Sequence, residues 1–435
     1  MVSHEGMFKR IELTNYQSFD SISLDLTGPD GHVLPHVLIC GENGSGKTGL
    51  MGSMTFLRNS IHTVLLNEVI ENIGSRECDT DGLDLEEQDL AKILKRCAER
   101  RRDIRNYSRP LRMLGTRDPM TLRFLFTIDG RDLDYTLSID DDGGVVDECL
   151  RRDGKERFRI WFPDDSFETI FDDELFRDPK YHASMDDSIV EKWGDHTFLS
   201  ILERDYRRRR PSQMARVMDP EIERILAFID TFSTNVSTIK GGVIPMDEDD
   251  FDLVKGTIGE DDFRILRAYG NALTDFLSSL CPDILKAEYR TFDHESGALD
   301  YELMIWRRMA DGITVIPERM ESDGTKALVT LLPMLLNRAS GRTAVIDDLD
   351  SGLHRRLASD LLRMVVDSTE GQLIATVHDP TLLESMNTFR LEVEGDGRRT
   401  LSQMGESPGI GGSHRVTMDA IYRRFRADMD RTGSI

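Results

Sequence analysis

Val37-Leu38-Ile39-Cys40-Gly41-Glu42-Asn43-Gly44-Ser45-Gly46-Lys47-Thr48 is the stretch on which the fold turns. Its four leading apolar residues, ended by glycine, suit a strand buried on both faces of a parallel sheet. Gly41 to Thr48 then reads G-x-x-x-x-G-K-T, and Leu50, Met51, Met54, Leu57 and Ile61 follow at helical spacing. A buried strand before this motif and an amphipathic helix after it form the setting in which it binds phosphate rather than merely turning the chain. Gly41, Gly44 and Gly46 let the backbone N–H groups of the loop, Asn43 included, close around a β-phosphate at the positive end of the helix. Lys47 is expected to reach the β- and γ-phosphates and the Thr48 hydroxyl to ligate Mg²⁺.

Three other stretches complete a chemistry. Thr343-Ala344-Val345-Ile346-Asp347-Asp348 is an apolar strand ending in two carboxylates, at the sheet edge where open α/β folds bind ligands. Asp347 is placed to hold Mg²⁺ through water, and Asp348 to polarise a water beside the γ-phosphate. Gln372 to Val377 is a further buried strand, and it delivers His378, whose imidazole can hydrogen-bond a γ-phosphate oxygen. Alone, either feature would read as an ordinary strand end. Glu321-Ser322-Asp323-Gly324-Thr325-Lys326 opens a helix, and Ser322, Gly324 and Thr325 there form a second anion cradle. One chain with one P-loop has no use for two cradles, unless the second faces the nucleotide of another copy.

Composition narrows the class. The chain has 435 residues, 39% hydrophobic and 31% charged, enough for a sizeable core in two or three lobes. With 55 Lys+Arg against 79 Asp+Glu the net charge is −24, which repels polyanions on average and argues against a nucleic-acid-coating protein. Arg100-Arg101-Arg102 and Arg207-Arg208-Arg209-Arg210 are the local exceptions, read first as helix faces paired with Asp and Glu, and second as a phosphate or acidic-partner contact. No stretch reaches the length of a membrane span and the start does not read as a signal peptide. Five scattered cysteines fit neither a disulfide framework nor a metal site, so a cytoplasmic protein is expected.

Along the chain, 8–13 and 22–26 alternate as strands around a turn at 15–19, and 122–128 with 135–139 form a hairpin that 145–151 extends. Residues 70–115 read as a surface insertion with a helical patch from Leu85 to Arg101. Residues 163–190 read as loops and short helices, 198–282 as mainly helical, 285–306 as strand, and 325–396 as alternating strands and helices. No heptad pattern persists, so no long coiled coil is expected.

The order P-loop, S-x-G-T, Asp-Asp, His resembles the ATP-binding-cassette ATPases, in their chromosome-maintenance and RecF-like branch. Ile11 to Phe19 looks like that branch's first strand and turn. Ile346 to His354, Ala375 to Leu383 and Trp193 to Ser200 are similar to a bacterial and archaeal group of stand-alone ATPases labelled AAA-type 15 or 21. The resemblance implies an α/β head with a P-loop core sheet, an antiparallel β lobe and a helical signature lobe. The corresponding divisions are 1–200, 201–325 and 326–435. It implies ATP with Mg²⁺, an ATP-dependent homodimer, Ser322 and Gly324 contacting the partner's nucleotide, and Asp350 and Ser351 in an inter-subunit loop. The usual catalytic Glu is here Asp348, one methylene shorter, which implies slow turnover. No Gln stands where such ATPases carry one near the metal, and 196–200 is the stretch that would supply its equivalent. The group further implies an anti-phage, abortive-infection role in which the ATPase controls an effector such as a Toprim-type nuclease. With about 55 residues after the His motif, that nuclease is expected in trans. A repair ATPase acting directly on DNA is the main alternative, followed by a transporter motor and a module that binds ATP only structurally.

Overall fold

The computed structural model describes residues 6–68, 103–163, 166–236, 252–259, 263–293, 298–367, 370–379, 382, 387–404 and 416–430. The helical patch expected at 85–101 and the cluster Arg100–Arg102 lie outside them. Three sheets organise the chain. Strands β1 (Gly6–Tyr16), β2 (Phe19–Asp25), β4 (Met120–Ile128), β5 (Arg131–Ile139), β6 (Val145–Arg152), β7 (Lys155–Trp161) and β8 (Glu168–Phe171) make an antiparallel sheet in the order β2-β1-β4-β5-β6-β7-β8. In β4 the alternation of Met120, Leu122, Phe124, Phe126 and Ile128 with less buried residues turns one face of the strand into the core.

The core sheet runs β17-β16-β3-β15-β14-β9, from β3 (His36–Gly41), β9 (Ser233–Thr234), β14 (Thr343–Ile346), β15 (Gln372–Thr376), β16 (Asn387–Val393) and β17 (Arg399–Gln403). All its neighbours pair in parallel except β16 with β17. As expected of a central parallel strand, β3 is buried on both faces: Val37 and Ile39 join the core shared with the antiparallel sheet, while Leu38 and Cys40 join a second core. Gln372 stitches the two sheets, its Oε1 accepting from Phe8 N–H and its Nε2 donating to Phe8 O, both at 2.9 Å.

The third sheet, β10 (Lys255–Ile258), β11 (Ile284–Asp293), β12 (Leu299–Met309) and β13 (Gly312–Pro317), packs on the helix Phe263–Leu280 and leads into the helix Asp323–Ala339. The fold is thus the expected mixed α/β head. The longest described helix, Phe263–Leu280, has 18 residues, and no long coiled coil occurs among the described residues. No described helix is long and apolar enough to cross a membrane. Two readings change in detail: 163–190, read as loops and short helices, holds strand β8 and most of a 14-residue helix, Pro179–Lys192, capped by Asp178, and 198–282 is interrupted by β9 and β10.

Candidate functional site

Parallel strands β3, β15 and β14 lie side by side, so the residues just past their C-terminal ends meet on one edge. From β3 comes the P-loop. Gly46 has φ +111°, a left-handed geometry that disfavours any side chain, and a Cβ there would lie 2.6 Å from the Phe19 ring. At Gly41 a Cβ would come within 2.3 Å of Leu391 O, so the loop has no room for substitution at either end. Asn43 and Gly44 are exposed, and Thr48 is exposed on the first helical turn. Lys47 is only 6% exposed; its Nζ donates to Gly41 O at 2.7 Å and Glu42 O at 3.2 Å, inside the loop where phosphates would sit. Arg399 of β17 braces the loop from outside, donating from Nε to Ser45 O at 3.0 Å and from Nη1 to Ser18 O at 2.7 Å.

From β14 come the paired carboxylates. Asp348 has φ +51°, an unusual conformation for a residue with a side chain, though one that aspartate tolerates. Its Oδ1 lies 2.9 Å from His378 Nε2, so the two residues expected to act on the attacking water and the γ-phosphate are in direct contact. Thr376, the last residue of β15, serves both aspartates: its Oγ1 donates to the Asp347 carboxylate at 2.6 Å and accepts from the Asp348 backbone N–H at 2.7 Å. Asp350 accepts from His378 N–H at 3.0 Å and Asp379 N–H at 2.9 Å, tying the two loops within one chain. Beside this edge a cleft of about 560 Å³ is lined by Gly41, Glu42, His378, Arg390 and Glu392. That is a size suited to a small-molecule ligand.

Asn235 is the residue that sequence reasoning missed. It follows the two-residue strand β9, next to β14, and clamps the Asp347 backbone: Nδ2 donates to Asp347 O at 2.9 Å and Oδ1 accepts from Asp347 N–H at 2.7 Å. The stretch 196–200, where the missing glutamine's equivalent was expected, is elsewhere. Thr197 Oγ1 donates to Ser60 O, and Ser200 Oγ accepts from Val64 N–H, at the far end of the P-loop helix. A strand of Ser233 and Thr234 carries no apolar run, so only the parallel pairing with Ala344 and Val345 reveals it.

The second cradle stands apart. Ser322 is exposed and caps its helix, its Oγ accepting from Thr325 N–H at 3.3 Å. Gly324 faces Gly352 O, which a Cβ would approach to 3.1 Å. Thr325 is 2% exposed and its hydroxyl meets Ser322 Oγ, so it serves the cap rather than the surface. Among the described residues no hydrogen bond joins this turn to the P-loop.

The donors fit Mg²⁺. No group of three or more His, Cys, Asp or Glu converges among the described residues, and Mg²⁺ ordinarily takes one or two protein oxygens with phosphates and waters for the rest. An exposed Thr48 hydroxyl and the half-buried Asp347 carboxylate supply that pattern.

A family model described as "AAA domain, putative AbiEii toxin, Type IV TA system" matches residues 37–384. The chain belongs to this family. The matched span of the AbiEii-type AAA domain runs from β3 to just past His378, and so contains the P-loop, Ser322 to Thr325, Asp347, Asp348 and His378, while Arg390, Glu392 and Arg399 lie beyond it. Solved structures similar to it include the SMC head domain from Thermotoga maritima. That match has 14% identity and TM-score 0.40 and covers 92% of this chain and 99% of that one. An SmcHead bound to the C-winged helix domain of ScpA matches at 15% identity and TM-score 0.45, covering 92% and 98%. The recombination mediator protein RecF with ATPrS matches at 12% identity and TM-score 0.37, covering 92% and 99%. None of the curated proteins compared with the chain matches it.

Proposed function

We propose that the chain binds Mg·ATP and hydrolyses it slowly, in a dimer that sandwiches two nucleotides between the P-loop of one copy and Ser322 and Gly324 of the other. The observation that carries this reading is the Asp348–His378 contact at 2.9 Å, set on the same sheet edge as the P-loop and Asp347. The loop amides and Lys47 cradle the β- and γ-phosphates, Thr48 and Asp347 hold the cation, and His378 leaves Asp348 to contact the γ-phosphate. Asp348 is then free to accept a proton from water. When bound, Mg²⁺ neutralises developing phosphate charge. The short reach of Asp348 makes the step slow. Asp348→Ala should bind ATP normally and turn it over at a small fraction of the wild-type rate; unchanged turnover would reject the assignment.

In this role the dimer acts as a sensor and scaffold in anti-phage defence, holding an effector, a Toprim-type nuclease among the candidates, until hydrolysis or a trigger releases it. The family's toxin–antitoxin description supports a toxic output under control. Co-expression of the tagged chain with its neighbouring reading frames should yield a stoichiometric nuclease-like or toxic partner. A chain that purifies alone counts against the effector.

Direct action on DNA is the second reading, and the arginine cluster bears on it. Arg207 pairs with Glu203 and Asp230, Arg208 with Glu68, and Arg209 with Asp205. Three of the four charges are thus committed within the chain, which favours the bland reading of that cluster. Steeply salt-dependent DNA binding, lost on replacing Arg207 to Arg210, would restore the alternative.

A further inference from the structure

Away from the P-loop edge, one buried ionic group stands directly against the second cradle. Glu321 precedes Ser322, and its side chain is 0% exposed. Its Oε2 accepts from Ser322 N–H at 3.2 Å and lies 3.3 Å from Arg307 Nη1, while Oε1 is buried without a hydrogen-bond partner. Arg307 is on β12, two residues beyond the buried Leu303 and Ile305, and its Nε lies 3.1 Å from Oδ2 of Asp283, the residue before β11. A chain of contacts thus runs from the third sheet through Arg307 and Glu321 to the backbone of Ser322.

Enclosing a carboxylate with one unsatisfied oxygen is costly, and an alkyl side chain would fill the same space with less penalty. What the carboxylate does, and an alkyl group cannot, is hold Ser322 N–H while Arg307 anchors it to the sheet. With that N–H engaged and Thr325 N–H taken by the Ser322 cap, the N–H groups of Asp323 and Gly324 are the free donors of the first turn. Their direction is set by whatever fixes the Glu321–Ser322 peptide.

We propose that Arg307 and Glu321 form a positioning pair that orients the Ser322 turn toward the nucleotide held by a second copy of the chain. The inference rests on the composite-site reading above and adds the residues that aim its trans-acting half. The pair touches no nucleotide of its own chain, so its loss leaves the P-loop's hold on ADP intact and lowers only what two chains do together.

The experiment is trans-complementation of ATPase activity. Glu321→Leu should lower turnover at least about tenfold with ADP affinity within about twofold of wild type. Glu321→Gln, whose amide oxygen still accepts from Ser322 N–H, should recover most of the loss. Glu321→Leu chains mixed with inactive Lys47→Ala chains can form one intact site, from the P-loop of the first and the cradle of the second. Random pairing then restores about one quarter of wild-type activity. Ser322→Ala mixed with Lys47→Ala is the control. Recovery with Ser322→Ala but none with Glu321→Leu overturns the positioning role, as does loss of ADP binding in Glu321→Leu. No recovery in either mixture overturns the composite site itself.

Discussion

Asn235→Ala tests whether the clamp on Asp347 matters to metal-dependent nucleotide binding. The substitution removes two hydrogen bonds to the backbone of one residue, one to each of the peptide units that flank Asp347, at 2.7 and 2.9 Å. Each is worth about 0.5–1.5 kcal/mol net, and because Asn235 is exposed, water replaces part of both, leaving about 1–2 kcal/mol. That corresponds to roughly a tenfold change in an equilibrium constant. The loss should fall on the placement of the Asp347 carboxylate, since among the described residues no hydrogen bond joins Asn235 to the P-loop. A fluorescent ATP analogue titrated with Mg²⁺ and again with EDTA separates the contributions. The expected result is affinity weakened about tenfold in Mg²⁺ and unchanged in EDTA. Equal weakening in both conditions, or none in either, would refute the assignment of Asn235 to the metal edge.

Other outcomes follow from single contacts. Arg399→Met removes the brace on Ser45 O and Ser18 O and should weaken nucleotide binding equally with and without Mg²⁺, by about tenfold, in the same titration. Gly41→Ala would drive a methyl group to 2.3 Å from Leu391 O, and calorimetry should show both a lower melting temperature and no ATP binding. Burial, against the opposing pull of Asp195, lowers the His196 imidazole from 6.5 to about 4. The unfolded chain therefore takes up a proton between those values that the folded chain refuses, so stability is whole above pH 6.5 and falls toward pH 4, by up to about 3 kcal/mol. Urea unfolding of His196→Asn should lack that part of the acid loss; an unchanged slope would show that other groups cause it.

Much of this site is legible from strand ends alone. Val37 to Cys40, Thr343 to Ile346 and Gln372 to Thr376 are short apolar runs ending in residues that can handle phosphate, and parallel strands bring such ends to one edge. That logic places Lys47, Asp347, Asp348 and His378 together before any coordinates exist. It fails at Asn235, because a two-residue strand of Ser233 and Thr234 has no hydrophobic period to find, and only its pairing with β14 marks it. Thr376 was visible in the sequence as a strand residue, but its double hydrogen bond to the Asp347–Asp348 pair depends on the left-handed turn at Asp348. Glu321 and Arg307 lie 14 positions apart, joined by a hairpin whose register decides which side chains meet. Local pattern does not carry that information.

The arginine cluster shows the converse. Four consecutive arginines in an acidic chain invite a polyanion, yet Glu203 and Asp205 of the helix Phe198–Arg208, Asp230 of the helix Pro220–Thr231 and Glu68 come within ion-pair range of Arg207, Arg208 and Arg209. Such pairs are partly exposed and contribute little stability each, but they use up charge that a phosphate would need.

The central claim is that two copies of this chain close around ATP. Light scattering of Asp348→Ala, with and without Mg·ATP, tests it most directly, because blocked hydrolysis should trap the closed state. The mass should double when Mg·ATP is added and stay at one chain with ADP. A mass that is the same in all three conditions would contradict the account.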